Sequence, residues 1–172
     1  MTIEPDTKDW TWVLTRPCTD CGFDPAGVGS ADLAARIRQS ARPWPQVLAG
    51  PDSAVRPAAN MWSPLEYACH VRDVHLLFAE RVTSMLAHED PEFANWDQDK
   101  TAVLSRYGEQ APARVGAELV AAAELVADRY GALAGAEWER RGRRSNGSVF
   151  TVESLGRYHL HDAVHHLWDV GS

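Results

Sequence analysis

The chain has 172 residues, about one ordinary domain, with 17 basic and 24 acidic side chains and a formal net charge of −7. Hydrophobic residues make up 45% and charged residues 24%, a globular composition able to bury a core without disulfides or metals, which excludes a disordered chain. The acidic balance argues against the basic face that nucleic acid demands, and no run approaches the ~18 apolar residues of a membrane span.

The N-terminal sequence MTIEPDTKDW lacks the charged-then-apolar signature of a secretory signal, so a cytoplasmic location is the expectation. Cys18, Cys21 and Cys69 are an odd number and too few for a disulfide scaffold. Residues 1–29 hold Trp10, Trp12 and the CxxC of Cys18 and Cys21 with no helical period, and read as an irregular arm packed on a body formed by residues 30–172. A lone CxxC offers half a zinc knuckle or a redox pair. The plainer reading is a turn whose thiols are reduced or joined locally. Cys69 reads as a small buried hydrophobe.

Ser30 is placed to cap a first helix carrying Leu33 and Ile37, which the Pro-Trp-Pro of residues 43–45 cannot continue. Ser63-Pro64-Leu65-Glu66 is a capping box with proline at the first helical position. Behind it, Tyr67, Val71, Val74, Phe78 and Met85 recur at helical spacing and predict a helix from 64 to about 87. Residues 88–111 hold at most one short helix. Val115, Leu119, Ala122 and Val126 mark a helix from 113 to about 133, and Thr151 caps a last one reaching about Val170. No strand alternation stands out. Four helices of this length predict an all-α bundle, and the long 88–111 link suits a crossover.

Four of the seven histidines lie within residues 159–166. At about 100° per residue, Leu160, Val164 and Leu167 form an apolar stripe of the last helix. His159, Asp162, His166 and Asp169 form a polar stripe. Tyr158, His161, His165 and Trp168 lie between them. His161 and His165 stack one turn apart, roughly 5–6 Å between β-carbons, and two imidazoles so placed can reach one metal ion. His70, at the edge of the apolar face of the second long helix, is the candidate third ligand. Three neutral imidazoles would leave a coordination position open, as catalytic sites do. Glu66 and Asp73 could orient His70 but read more simply as a cap and a surface charge. His75 and His88 read as solvated, as do Arg72, Arg81 and Arg157. His161-Asp162-x-x-His165 is not a zincin motif. Aspartate is a methylene short, and too little chain follows for a third ligand.

His70 within Trp62-Ser-Pro-Leu-Glu-Tyr-Ala-Cys-His70, followed by His161-Asp162-x-x-His165-His166 near the end, resembles the DinB-like superfamily of metalloenzymes from about residue 30 to 170. That resemblance implies an up-down-down-up four-helix bundle. It implies a divalent metal, zinc or nickel being typical, on the residues matching His70, His161 and His165. It also implies a small-molecule substrate, and a homodimer is open to such bundles. The superfamily includes thiol S-transferases and the mycothiol-dependent maleylpyruvate isomerase. The expected function is therefore a metal-dependent S-transferase activating a low-molecular-weight thiol such as mycothiol. A metal-dependent hydrolase and a non-catalytic metal-binding module are the alternatives. The N-terminal arm and its CxxC depart from the family pattern.

Overall fold

The computed structural model describes Ile3 and residues 8–171; residues 1, 2 and 4–7 of the expected arm, and Ser172, lie outside the described residues. Helix α3 (Pro64–Ala87) starts where its signals place it. Ser63 Oγ accepts from the Glu66 N–H at 3.2 Å, and the Glu66 carboxylate accepts from the Ser63 N–H at 2.9 Å. The Arg56 Nε donates to the same carboxylate at 2.8 Å, so Glu66 is a cap residue held by an ion pair and does not reach His70. Helix α5 (Pro112–Gly131) buries the expected stripe Val115, Leu119, Ala122 and Val126. Helix α6 (Val152–Asp169) opens on Thr151, whose Oγ1 accepts from the Ser154 N–H at 3.1 Å.

The first helix differs in detail. Ser30 does not cap it; Ser30–Asp32 is a 3₁₀ turn in which the Asp32 carboxylate accepts from the Gly29 N–H at 3.1 Å. Helix α1 (Leu33–Ala41) follows. Proline stops it, yet the Pro-Trp-Pro segment opens a further short helix, α2 (Trp44–Leu48), because proline is tolerated in a first turn and Trp44 can be buried completely.

Helices α1, α3, α5 and α6 make a four-helix bundle in which α1 and α3 each pack against both α5 and α6. Gly156 lets α6 approach α1 closely: a β-carbon there would lie 2.6 Å from the Leu33 Cδ1. The link between α3 and α5 carries helix α4 (Gln98–Leu104) and a 3₁₀ turn at Tyr107–Glu109. Among the described residues no helix is long and apolar enough to cross a membrane.

A small sheet was not expected. Strand β1 (Glu92–Phe93) pairs in parallel with β2 (Arg141–Arg144), which pairs antiparallel with β3 (Val149–Thr151). Tertiary contacts form it. Gly142 lies where a β-carbon would meet the Met85 Cγ at 2.7 Å, and Arg140 donates to the Met85 and His88 carbonyls at 2.6 and 2.7 Å. A guanidinium thereby covers the open carbonyls and negative dipole end of α3.

His75 is a second correction. It is not solvated but fully buried, because α3 is packed on several sides, against α2, α4, α5 and α6. Its Nδ1 lies 2.8 Å from the His159 Nε2, and the His159 Nδ1 lies 3.3 Å from the Tyr130 hydroxyl. This polar chain ties α3, α5 and α6 together inside the core. His159, on the stripe expected to be polar, is thus interior. Arg81 is also buried, its guanidinium between Phe78 and Phe93 and donating to the Ala94 carbonyl at 3.1 Å. Arg72 bridges to Glu118 of α5 at 2.7 Å, and Arg157 donates to the Val28 carbonyl at 2.8 Å.

Replacing Ser63 by alanine removes the cap acceptor and is expected to cost about 1 kcal/mol, lowering Tm by about 2–4 °C; an unchanged Tm would contradict the capping role. A pH dependence follows from His75, whose burial holds its imidazole at about 4 against an ordinary value of 6.5. A depressed imidazole stabilises the fold above its unfolded value, and the contribution, on the order of 3 kcal/mol, is lost as pH falls from about 6.5 toward 4. Chemical denaturation across that interval should show a shallower decline for His75→Gln than for the native chain. Parallel curves would remove His75 from the account.

Candidate metal centre

The three histidines expected to share a metal do not converge. His70 meets Asp162 and His166, whereas His161 and His165 meet Cys18 and Cys21. The reason lies in the rotation of α6. Asp162 and His166, one turn apart on one stripe, face α3. His161 and His165, one residue earlier and so about 100° round, face the N-terminal arm.

His70 is wholly buried between two indoles, with Trp96 stacked on it at 5.3 Å and Trp62 at 5.4 Å between ring centroids. Its Nε2 lies 3.4 Å from the Asp162 Oδ1, and the His166 Nε2 lies 3.8 Å from that same oxygen. Tetrahedral ligands at about 2.1 Å from a zinc ion are themselves about 3.4 Å apart, so these spacings suit a shared cation. Both His70 nitrogens and the Asp162 Oδ1 are buried without a hydrogen-bond partner among the described residues. Orphaned buried polar atoms are costly, and here one ion would satisfy two groups at once.

Electrostatics agree. Burial keeps the His70 imidazole below its ordinary range, so it is a neutral ligand at pH 7. Burial alone would raise the Asp162 carboxyl, but attraction to His70 and His166 outweighs it and holds the group well below the usual carboxylate range. Behind the centre, the His166 Nδ1 lies 2.8 Å from the Asp169 Oδ2. That carboxylate fixes the ring so that Nε2 faces Asp162, as outer carboxylates do for metal-bound imidazoles. Asp73, beyond His70 on α3, is engaged elsewhere: it accepts from the Tyr107 hydroxyl at 2.5 Å and from the Arg72 Nε at 2.8 Å.

Asp162 and His166 of the centre line a cavity of about 280 Å³, which Trp10, Trp62 and Tyr67 also line and which His161 and His165 border from the arm side. No arginine or lysine is among its described lining residues. Asp162 and His166 were visible in the sequence as a polar i, i+4 pair. What was missing was the absolute rotation of the helix.

On the arm side, the Cys18 Sγ lies 3.7 Å from the His165 Nδ1, and one ligand atom from each of Cys18, Cys21, His161 and His165 falls within 4.8 Å of the others. All three cysteines are free thiols. Burial pushes the Cys21 thiol up to about 11, which is unlike a reactive thiolate. Burial also lowers the imidazole of His161 to about 4 and that of His165 below its ordinary value.

Comparison with curated proteins yields no match. Among solved structures, the chain resembles YfiT from Bacillus subtilis, described as a probable metal-dependent hydrolase with an unusual four-helix bundle topology. The two share 18% sequence identity, with a TM-score of 0.60 over 86% of this chain and 91% of YfiT, a likeness of fold. The family model for the DinB superfamily matches residues 35–170, which spans the bundle from α1 to α6, and the chain belongs to that superfamily.

Proposed function

We propose that the protein is a metal-dependent enzyme whose divalent ion is held by His70, Asp162 and His166. The observation that carries this reading is the wholly buried His70, whose Nδ1 has no hydrogen-bond partner among the described residues and whose Nε2 lies 3.4 Å from the buried Asp162 Oδ1, too far for a good hydrogen bond but suited to a shared cation. Two imidazoles and a carboxylate are a donor set used by catalytic zinc, and they leave coordination positions for a reactant. A divalent cation bound there supplies the charge that lowers the pKa of a thiol or a water and polarises an electrophile.

The protein's own residues do the rest. Trp62 and Trp96 confine the His70 ring and exclude water from it, and Asp169 orients His166. Tyr67, Trp62 and Trp10 offer aromatic faces to a substrate, while Asn60, Gln98 and Asp99 on the same cavity offer hydrogen bonds. Those aromatic faces and hydrogen-bonding groups suit thiol S-transfer onto a small electrophile, with a hydroxyl-bearing thiol such as mycothiol as the co-substrate. Hydrolysis is the second reading. It draws support from the fold shared with YfiT, a probable metal-dependent hydrolase.

The test is metal analysis of untagged protein followed by assay of the loaded protein with electrophile panels, with and without low-molecular-weight thiols. Thiol-dependent consumption of an electrophile supports transfer, and turnover without thiol supports hydrolysis. His70→Ala and Asp162→Ala should abolish either. Asp169→Asn, which spares the ligands, is expected to weaken metal retention against a chelator by about 10–100-fold. Full metal retention in His70→Ala, with activity intact, would overturn the reading.

A further inference from the structure

The geometry points to a second, structural metal site, a Cys₂His₂ zinc site made by Cys18, Cys21, His161 and His165, which clamps the N-terminal arm to α6. It does not depend on the enzyme reading, because it shares no ligand with the His70 centre. The four side chains come from segments 147 residues apart, and one ligand atom from each lies within 4.8 Å of the rest. A sulfur at about 2.3 Å and a nitrogen at about 2.0 Å on a tetrahedral ion are about 3.5 Å apart. The Cys18 Sγ to His165 Nδ1 distance is 3.7 Å.

A second observation is independent of that spacing. His161 is almost fully buried, and its Nε2 has no hydrogen-bond partner among the described residues. An interior imidazole left so is explained by a ligand. The arm is shaped for the task as well. After Cys21 the chain turns through Gly22 at φ +73°, and the loop closes on itself as the Gly22 N–H donates to the Cys18 carbonyl at 3.0 Å and the Cys18 N–H to the Phe23 carbonyl at 2.8 Å. Both sulfurs are thereby brought to one side. Glycine adopts that left-handed backbone at least cost.

Four protein ligands close the coordination sphere, which is the mark of a structural rather than a catalytic zinc. Aromatic rings shield it: Trp10 lies 5.7 Å from His161 and 5.2 Å from His165, and Phe23 lies 5.4 Å from His161, between ring centroids. Zinc binding releases the two thiol protons to solvent and joins the arm to α6 in place of a disulfide. Because Trp10 also lines the cavity beside the His70 centre, the clamp would hold one wall of the substrate site.

Full-length untagged protein, kept reduced and stripped of metal, is titrated with cobalt(II) and followed by absorption. The native chain should take about two equivalents and develop a thiolate-to-cobalt charge-transfer band. His70→Ala should lose one equivalent and keep the band, and the Cys18→Ser, Cys21→Ser double variant should lose the band and keep the other equivalent. Chymotrypsin should cut the zinc-free chain faster after Trp12 than the zinc-loaded chain. In the native chain and in His70→Ala alike, zinc should protect Cys18 and Cys21 from alkylation. A native chain without the band, or with alkylation of both cysteines unaffected by zinc, would overturn the site while leaving the His70 centre untouched. A band that disappears in His70→Ala would equally overturn it.

Discussion

Adjacent residues on a helix point about 100° apart, and on α6 that offset sets which neighbour each polar residue meets. Asp162 and His166 share one line and look at His70 on α3; His161 and His165 share the next and look at Cys18 and Cys21 in the arm. His159, flanking the Asp162 line on the side away from His161, enters the core and meets His75 and Tyr130. A single amphipathic helix thus serves three environments. Any slip in its rotation would misplace all of them together.

The surrounding structure fixes that rotation. Thr151 and Ser154 set where α6 begins, and Gly156 lets Leu33 of α1 press against its first turns. The buried chain Tyr130–His159–His75 adds a directional lock, since polar groups in an apolar core tolerate few alternative partners. Asp169 stands at the far end, 2.8 Å from the His166 Nδ1 and 4.0 Å from the His165 Nε2. One carboxylate therefore backs an imidazole of each group.

Much of the fold was legible because local signals and burial agree. The capping box at Ser63 with Pro64, the stripe of α5 and the Thr151 cap each predict an element that forms close to its expected bounds. The small sheet was not legible. Its strands are two to four residues long, the middle one is mostly arginine, and the sheet is held by Gly142 on Met85 and by Arg140 on the end of α3. His75 was misjudged because a helix packed on several sides has no solvent face where periodicity would put one. For the candidate site, the sequence singles out His70 and the histidine-rich helix, which the structure places side by side. The sequence could not divide the residues between two groups, because a helical wheel gives relative angles only. Nor does local spacing reveal that a CxxC in an irregular arm lies against α6 from 147 positions away.

The central claim is that the histidines of α6 are shared out between two neighbouring groups and do not form a single His70–His161–His165 triad. Anomalous diffraction at the zinc edge from crystals of the zinc-loaded protein tests it most directly. The account predicts two separate peaks, one touching His70, Asp162 and His166, the other touching Cys18, Cys21, His161 and His165. A single peak bound by His70, His161 and His165 together would contradict it.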